Sequence, residues 1–372
     1  MVTVKEVKTP AELRGFIVFQ YRLYKENPFY VPPLFVDEMN ALHWKKNPAF
    51  EYCEARYWMA FKNGKAAGRV AAIINRRYIE KWGLKLLRFG WIDFIDDAEV
   101  STALMTRVED WAGELGLDGV HGPLGFCDMD KEGMLIEGFD QTATIITIYN
   151  HPYYPAHMER LGYRKDADWL EYKLTVPRTI PENIVRLAEV VKKRSGVSLL
   201  HARTSKDLFP YARPVFHLLN ETYAHLYGVV ELTERQIGYY IRQYFGFLTP
   251  EFTKIVLDRD GKIAAFGITL PGLAQAFRKA KGRLFPLGFI PILRAMKKNP
   301  LLELGLMAVR KDLQSKGLNA ILICEITRAC IEHGVLEAES NPELETNSQV
   351  QVQWKHFQAK QHKRRRCYRK NL

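Results

Sequence analysis

Apolar runs interrupted by tight-turn residues predict one β-hairpin in each half of the chain. Residues 57–74 hold two β-rich runs that are joined by Asn-Gly at positions 63–64. Residues 254–270 hold two similar runs that are joined by Asp-Gly at positions 260–261. Both dipeptides favour two-residue hairpin turns because their residues tolerate positive φ angles. The hairpins are the first sign that the two halves share one plan.

Other predicted elements recur around the hairpins in the same order. A short strand leads into a helix that is capped by Thr9 in the first half and by Thr204 in the second. After each hairpin, a helix that ends at a glycine, Gly116 or Gly334, precedes a further strand. Several matches in one order indicate an internal repeat, with an insertion around residues 277–299 of the second copy.

The repeat predicts an α+β (α/β) fold with two tandem domains, each a mixed, mostly antiparallel sheet flanked by helices. A chain of 372 residues is also too long for one typical domain. We place the first domain at residues 1–178 and the second at residues 197–372. Pro181 opens a charged helix between them, so residues 179–196 are predicted to form a linker helix.

Composition narrows the class of protein. Hydrophobic residues make up 47% and charged residues 26% of the chain, so each domain can bury a core. The five cysteines include no Cys-x-x-Cys pair, which favours reduced thiols in the cytoplasm and no metal site. The longest apolar stretch, residues 284–293, contains two prolines and is too short to span a bilayer. We therefore expect a cytoplasmic protein with no membrane span.

The formal net charge of +12 allows three interpretations. Much of the charge lies in residues 362–370, which we interpret first as a solvated tail or an edge strand. A phosphate-rich ligand such as coenzyme A is the second interpretation, and nucleic acid is the third. We expect no nucleic-acid partner, because the sequence contains no RNA-binding motif and no helix-turn-helix pattern.

One segment of the second half has the pattern of an anion site. Residues 302–309 form an apolar strand that runs directly into a basic loop at residues 310–320, which contains Gly317. A helix with a buried apolar stripe follows at residues 321–331. The free N–H groups and the dipole of a helix N-terminus attract phosphate, and glycine lets phosphate approach the backbone.

This segment resembles the pyrophosphate-binding loop of the GNAT acetyltransferases, in which Gln or Arg and then Gly follow the fourth strand. Gln314 and Gly317 match that pattern, and Asn319 stands at its final Gly or Ala position, directly before Ala320. Asn347 matches an Asn that opens a helix after the fifth strand in many members. The resemblance implies acetyl-CoA or another acyl-CoA as the co-substrate. The residues it implies for binding are Val309, Gln314, Ser315, Lys316, Gly317, Leu318, Asn319, Ala320 and Asn347.

The resemblance also suggests candidates for catalysis. Trp354 stands where many members have a tyrosine that protonates the departing thiolate, and an indole cannot do this. Tyr368 is our second choice for that acid; the alternatives are thiolate release without a protein acid, or a copy that no longer catalyses. For the base, members rely on a carboxylate near the fourth or fifth strand, which favours Glu303 and Glu339 because burial raises a carboxylate pKa.

The first copy lacks the anion-binding loop. Its corresponding strand ends among four carboxylates, which would repel a pyrophosphate, so we expect no coenzyme A there. These carboxylates belong to Asp93, Asp96, Asp97 and Glu99. A glycine- and aspartate-rich stretch at residues 122–140 is a candidate lining for a substrate pocket.

The sequence thus favours an acyl-CoA-dependent N-acyltransferase, in particular an N-acetyltransferase, that acts on a small-molecule or peptide amine. Two alternatives remain: an aminoacyl-tRNA-dependent transferase of the tandem cell-wall type, and a catalytically inactive binding module. The insertion carries apolar residues between Arg283 and Arg294. We interpret them first as a cover on the sheet, and second as a contact with a membrane surface or an acyl chain.

Overall fold

The computed structural model describes residues 1–372, apart from the side chains of Gln349, Lys355 and His356. The strands are β1 (Val2–Glu6), β2 (Cys53–Lys62), β3 (Lys65–Asn75), β4 (Leu86–Phe94), β5 (Gly119–Gly122), β6 (Met134–Glu137), β7 (Arg164–Thr175), β8 (Ser198–Leu199), β9 (Thr253–Leu257), β10 (Ile263–Pro271), β11 (Leu301–Val309), β12 (Glu337–Ser340), β13 (Glu343–Leu344) and β14 (Gln358–Asn371).

The α-helices are α1 (Pro10–Leu23), α2 (Phe35–Leu42), α3 (Arg76–Trp82), α4 (Ala98–Glu114), α5 (Tyr154–Arg160), α6 (Glu182–Ser195), α7 (Ser205–Leu208), α8 (Ala212–Tyr223), α9 (Glu234–Tyr244), α10 (Ala274–Ala280), α11 (Phe289–Lys297), α12 (Leu318–Glu332) and α13 (Ser348–Gln351). Short 3₁₀ turns span Pro48–Glu51, Phe209–Tyr211, Phe245–Phe247, Lys311–Leu313 and Val352–His356.

Both predicted hairpins are present. Strands β2 and β3 pair antiparallel across a turn in which Asn63 and Gly64 have φ angles of 52° and 77°. Strands β9 and β10 pair antiparallel across a turn in which Gly261 has a φ angle of 75°. Thr9 and Thr204 each form a capping box with the residue three positions later, so both predicted helix starts are also confirmed.

The strands form one sheet of fourteen strands in the order β1-β2-β3-β4-β5-β14-β7-β12-β11-β10-β9-β8, with β6 beside β14 and β13 beside β7. Two pairs are parallel, β4 with β5 and β11 with β12. Each half therefore contributes one parallel pair, flanked by antiparallel strands. This arrangement confirms the predicted α+β fold with two similar units.

The last strand of the chain lies in the sheet of the first half. Strand β14 pairs antiparallel with β5 on one side and with β7 on the other, while β7 also pairs with β12. The interpretation of residues 362–370 as a tail or edge strand was wrong, because this strand is internal and Lys363 and Arg365 are fully enclosed. The domain boundaries at residues 1–178 and 197–372 stay a prediction, with α6 lying inside the predicted linker.

Helices cover both faces of the sheet. In the first half, α4 packs on the face that carries Val70 and Ala72, and α1 packs on the face that carries Ala71. In the second half, α8 packs over Ile255, and α6 and α12 pack together over Val256. Alternate residues of one strand thus enter separate cores, as the period of two in a β-strand requires.

Candidate functional site

A cleft opens where the parallel strands β11 and β12 part. The two strands pair from Leu301 and Glu337 as far as Leu304 and Ser340, and β11 then continues without β12. An irregularity in the pairing with β10 lies at this point, next to Gly305. A Cβ atom on Gly305 would lie 2.6 Å from the Ile268 carbonyl oxygen, so the close approach requires glycine.

Two side chains donate hydrogen bonds to the part of β11 that has no β12 partner. The side-chain amide of Asn341 donates to the Gly305 carbonyl over 3.0 Å. The hydroxyl of Tyr223, from α8, donates to the Met307 carbonyl over 3.0 Å. Burial raises the pKa of Tyr223 to about 12, so this phenol stays protonated at neutral pH. Sequence reasoning missed Tyr223, because no local pattern shows that α8 reaches this edge.

An apolar cleft of about 470 Å³, its open mouth included, lies on the α12 side of the parted strands. This volume is in the range of small-ligand sites. Strands β7, β11 and β12, helix α12 and the segment after α13 form its walls. The lining residues are Leu174, Thr175, Val176, Pro177, Leu304, Met307, Ile323, Ile326, Thr327, Cys330, Ala338, Trp354 and Phe357.

The predicted anion-binding loop follows directly from this cleft. Val309 ends β11, and its carbonyl accepts a hydrogen bond from the Gln314 side chain at 3.1 Å. Gly317, with a φ angle of 84°, starts α12 without a side-chain cap, and Leu318, Asn319 and Ala320 form the first turn. The exposed residues of the loop include Lys311, Gln314, Ser315 and Lys316.

The equivalent helix of the first half begins differently. The Asp97 carboxylate caps α4 by accepting hydrogen bonds from the N–H groups of Glu99 and Val100 at 3.0 and 3.3 Å. A protein carboxylate therefore takes the place that a phosphate needs at this helix. The contrast with the uncapped Gly317 supports the expectation that an anion site lies in the second half.

Trp354 and Glu343 form a contact at the edge of the apolar cleft. The Trp354 indole N–H donates to the two Glu343 carboxylate oxygens at 2.9 and 3.1 Å. Burial raises the pKa of Glu343 to about 7, although hydrogen bonds from Trp354 and Ser340 oppose this rise. Asn347, predicted to bind the co-substrate, directly precedes α13 and lies between Glu343 and Trp354 in the chain.

Glu303 and Glu339 are brought together, because they are partners in the β11–β12 register. Both are buried, and burial together with the Glu339 charge raises the pKa of Glu303 to about 8. Burial also acts to raise the pKa of Glu339, but His362 and Lys363 outweigh it and lower that pKa. The Lys363 ammonium contacts Glu339 and lies 3.2 Å from Glu171. These groups form a buried charged cluster at the junction of the halves.

Tyr368 lies apart from the other catalytic candidates. Tyr368 lies on β14, five positions beyond Lys363, where it pairs with Gly122 of β5. Its side chain is buried in the first-half core. Burial raises its pKa to about 12. The structure therefore does not bring Tyr368 together with Glu303 and Glu339, and its catalytic role stays a prediction.

A second cavity, of about 600 Å³ with its open mouth included, lies in the first half, where β4 continues beyond its pairing with β5. Residues 122–140 contribute Pro123, Lys131 and Met134 to its lining, in agreement with the predicted pocket. Asp93 also lines it, but a 2.7 Å ion pair with Arg69 balances its charge. Lys62 pairs with two of the other three carboxylates, so the expected repulsion of pyrophosphate is weakened at three of the four. The absence of coenzyme A from this half stays a prediction.

Two groups of three side chains in the described part of the chain lie close enough to hold a metal ion: His121, Asp166 and Cys367, and Glu171, Glu339 and His362. The Tyr227 hydroxyl hydrogen-bonds all three members of the first group. The Lys363 ammonium contacts both carboxylates of the second. Protein groups thus contact every member of the first set and both carboxylates of the second, and the lack of a metal site stays a prediction.

Comparison with solved structures defines the class of fold. A tandem GNAT protein from the clavulanic acid biosynthesis pathway superimposes with a TM-score of 0.57 at 14% identity, over 100% of this chain and 98% of that chain. The architecture is therefore that of two GNAT units in tandem. No helix among the described residues is both long enough and apolar enough to cross a membrane.

Sequence comparison then places the chain in a family. It is 30% identical over 326 residues to the bacterial ceramide synthase of Caulobacter vibrioides, covering 84% of this chain and 82% of that protein. It is also 29% identical over 368 residues to protein YghO of Escherichia coli K12, covering 97% of this chain and 93% of that protein. No family model matches the chain. The chain belongs to the family of the bacterial ceramide synthase.

Proposed function

We propose that the protein is an acyl-CoA-dependent N-acyltransferase that acylates the primary amine of a long-chain amino alcohol. The observation that carries the proposal is the open β11 edge, which leads from an apolar cleft to the uncapped start of α12 at Gly317. The acceptor is inferred from the relative named a ceramide synthase, since a ceramide is a fatty amide of such an amine.

We assign each part of the co-substrate to a part of this site. The pyrophosphate would lie against the first turn of α12, where Gly317 admits close backbone approach and exposed Lys311 and Lys316 add positive charge. The pantetheine arm would run along the part of β11 that has no β12 partner, beside the Asn341 and Tyr223 side chains that donate to it. The apolar cleft beside Leu304 and Met307 would take apolar parts of the ligand.

The reaction forms one bond and breaks one. The amine nitrogen attacks the thioester carbonyl carbon, the carbon–sulfur bond breaks, and coenzyme A leaves as a thiolate. Backbone N–H groups at the strand opening would stabilise the developing oxyanion. We assign Glu343 as the base that accepts the amine proton, because it contacts cleft-lining Trp354 and has a pKa near neutrality. Glu303 is the alternative base.

The proposal is tested by incubating the purified full chain with sphinganine and with acetyl-, palmitoyl- or oleoyl-CoA. Mass spectrometry should detect the N-acyl product, in amounts equal to the coenzyme A thiol that is released. Failure to form an amide from any of these pairs would contradict the proposal. A salt-dependent affinity for transfer RNA, with aminoacyl transfer, would instead support the tRNA-dependent alternative.

Gly317→Glu is expected to weaken acyl-CoA binding by about tenfold or more, because it places a negative charge at the helix N-terminus and strains a left-handed residue. Calorimetry with palmitoyl-CoA measures the effect. The matched control is Gly64→Glu, a hairpin glycine with a similar φ angle of 77° and open space around its Cβ position. Equal affinities of the two variants would show that the phosphates bind elsewhere.

Trp354→Phe is expected to move the acidic limb of the kcat/KM–pH profile upward by roughly half to one pH unit. The indole N–H lowers the pKa of Glu343, so its loss raises that pKa, and the base is then deprotonated only at higher pH. Trp82→Phe is the control, since it removes an indole hydrogen bond to the Val229 carbonyl in another region. An unshifted limb in Trp354→Phe would exclude Glu343 as the titrating base.

A further inference from the structure

The insertion of the second half has an unusual charge pattern. Residues 272–300 contain seven basic residues and no acidic residue. They form helices α10 and α11 with the turn between them, and we call their outward face the α10–α11 surface. Its basic residues are Arg278, Lys279, Lys281, Arg283, Arg294, Lys297 and Lys298. All of these except half-buried Arg278 are exposed.

Large apolar side chains project from the same surface. Phe285, Leu287 and Leu293 are 77%, 67% and 51% exposed, and Phe289 also belongs to the exposed set. They are not needed to hold the two helices together, because a separate cluster that includes Ala276, Ala280 and Ile292 packs α10 against α11. The interpretation of this segment as only a cover on the sheet therefore leaves its outer side chains unexplained.

We propose that the α10–α11 surface docks the protein onto an anionic lipid bilayer. Exposed phenylalanine and leucine side chains insert at the boundary between headgroups and acyl chains, while surrounding lysine and arginine residues attract anionic headgroups. A second copy of this chain is a poor fit, because two such surfaces would bring like charges together. The basic residues and the exposed apolar side chains together favour an anionic partner with an apolar interior.

The surface lies against elements that border the first-half cavity and the buried charged cluster. The Gly282 carbonyl accepts a hydrogen bond from the Phe35 N–H at 2.9 Å, and Ala274 packs with Tyr24 and Tyr30, which line the first-half cavity. At the start of α10, the Leu273 N–H faces the Glu303 carboxylate. A bilayer at this surface would therefore lie beside the first-half cavity and near Glu303. Delivery of a long-chain amine from the bilayer rests on the proposed function, whereas docking itself does not.

Vesicle flotation of the full chain tests the proposal, with phosphatidylcholine vesicles that contain either no phosphatidylglycerol or one third of it. The protein should float with the anionic vesicles at low salt, and less so as salt rises. Phe285→Ser with Leu287→Ser should weaken this partition by roughly tenfold or more. The control is Leu187→Ser with Val190→Ser, which changes two similarly exposed residues of α6.

Charge is tested separately. Lys297→Gln with Lys298→Gln should weaken anionic partition by roughly tenfold, whereas Lys65→Gln with Lys85→Gln, on exposed lysines of the first half, should leave it unchanged. Equal partition of the test and control variants would overturn the proposal, as would failure to float with anionic vesicles. A dimer in solution that Phe285→Ser and Leu287→Ser dissolve would assign the surface to self-association.

Different results would contradict the docking proposal and the proposed reaction. If docking alone is wrong, the chain acylates sphinganine in detergent micelles and does not bind vesicles. If the reaction alone is wrong, the chain binds anionic vesicles and forms no amide. When both hold, Phe285→Ser with Leu287→Ser retains activity on sphinganine in micelles and loses activity on sphinganine in anionic vesicles, through a higher KM.

Discussion

Glu343→Gln is expected to lower kcat for amide formation by about 10²-fold to 10⁴-fold, the range in which a positioned general base contributes. Glutamine keeps the size of the side chain and its contact with the Trp354 indole, but it cannot accept the proton from the attacking amine. The affinity for acyl-CoA should change by less than about twofold, since the phosphates would lie at the far end of the cleft. Steady-state kinetics and calorimetry measure the two quantities.

Glu337→Gln is the matched control, because Glu337 is an exposed carboxylate of β12 that forms a 2.8 Å ion pair with Lys173. It should leave kcat within about twofold of the original value. Glu303→Gln distinguishes the rival base. If Glu303 is the base, its replacement causes the large loss and Glu343→Gln does not.

The pH dependence of kcat/KM provides an independent test of which carboxylate, Glu343 or Glu303, is the base. A base must be deprotonated, so kcat/KM should fall tenfold per pH unit below its pKa. That pKa is about 7 for Glu343 and about 8 for Glu303. An acidic limb near pH 7 that disappears in Glu343→Gln supports our assignment. A limb near pH 8 that disappears only in Glu303→Gln contradicts it.

Local sequence signals predicted much of this architecture. The hairpin turns at residues 63–64 and 260–261 depend only on φ angles that neighbouring residues allow, and the capping boxes depend on residues three positions apart. The strand-loop-helix unit around Gly317 is similarly local. Because these signals recur in one order, they were sufficient to predict two copies of one fold.

The position of β14 inside the sheet could not be predicted from local sequence signals. Its basic residues suggested solvent exposure, because an isolated lysine or arginine is rarely buried. Lys363 and Arg365 are enclosed only because Glu171 of β7 and Glu339 of β12 face them. These pairings join segments far apart in the chain, and nothing in the local pattern of β14 identifies the partners.

Glu343 was missed for a related reason. Its relevance comes from the Trp354 indole and from burial beside the cleft, both of which depend on how the segment after β12 folds back. Glu303 and Glu339, in contrast, were proposed because the family resemblance points to carboxylates near the fourth and fifth strands, and the parallel register places them side by side.

Arg365→Leu is expected to lower the free energy of unfolding by about 3–5 kcal/mol, the cost of removing one partner from a buried ion pair. The Arg365 guanidinium contacts the Glu171 carboxylate and the Ile148 carbonyl, and both charged side chains of this pair are fully enclosed. Leucine fills similar volume but leaves Glu171 with Lys363 as its remaining charged partner. Urea unfolding followed by tryptophan fluorescence measures the change.

Arg369→Leu serves as the control on the same strand, because Arg369 is half-buried and its side chain bonds to Asn371 over 3.1 Å. It should cost about 1 kcal/mol or less. Glu171→Gln in the Arg365→Leu background should recover part of the lost stability. Without Arg365 two carboxylates share the Lys363 ammonium, and the second substitution removes this excess negative charge. A loss below about 1 kcal/mol in Arg365→Leu alone would show that water reaches the cluster. Because β14 joins the first-half sheet to β7 and thereby to β12, the loss should appear in both halves as one shifted transition.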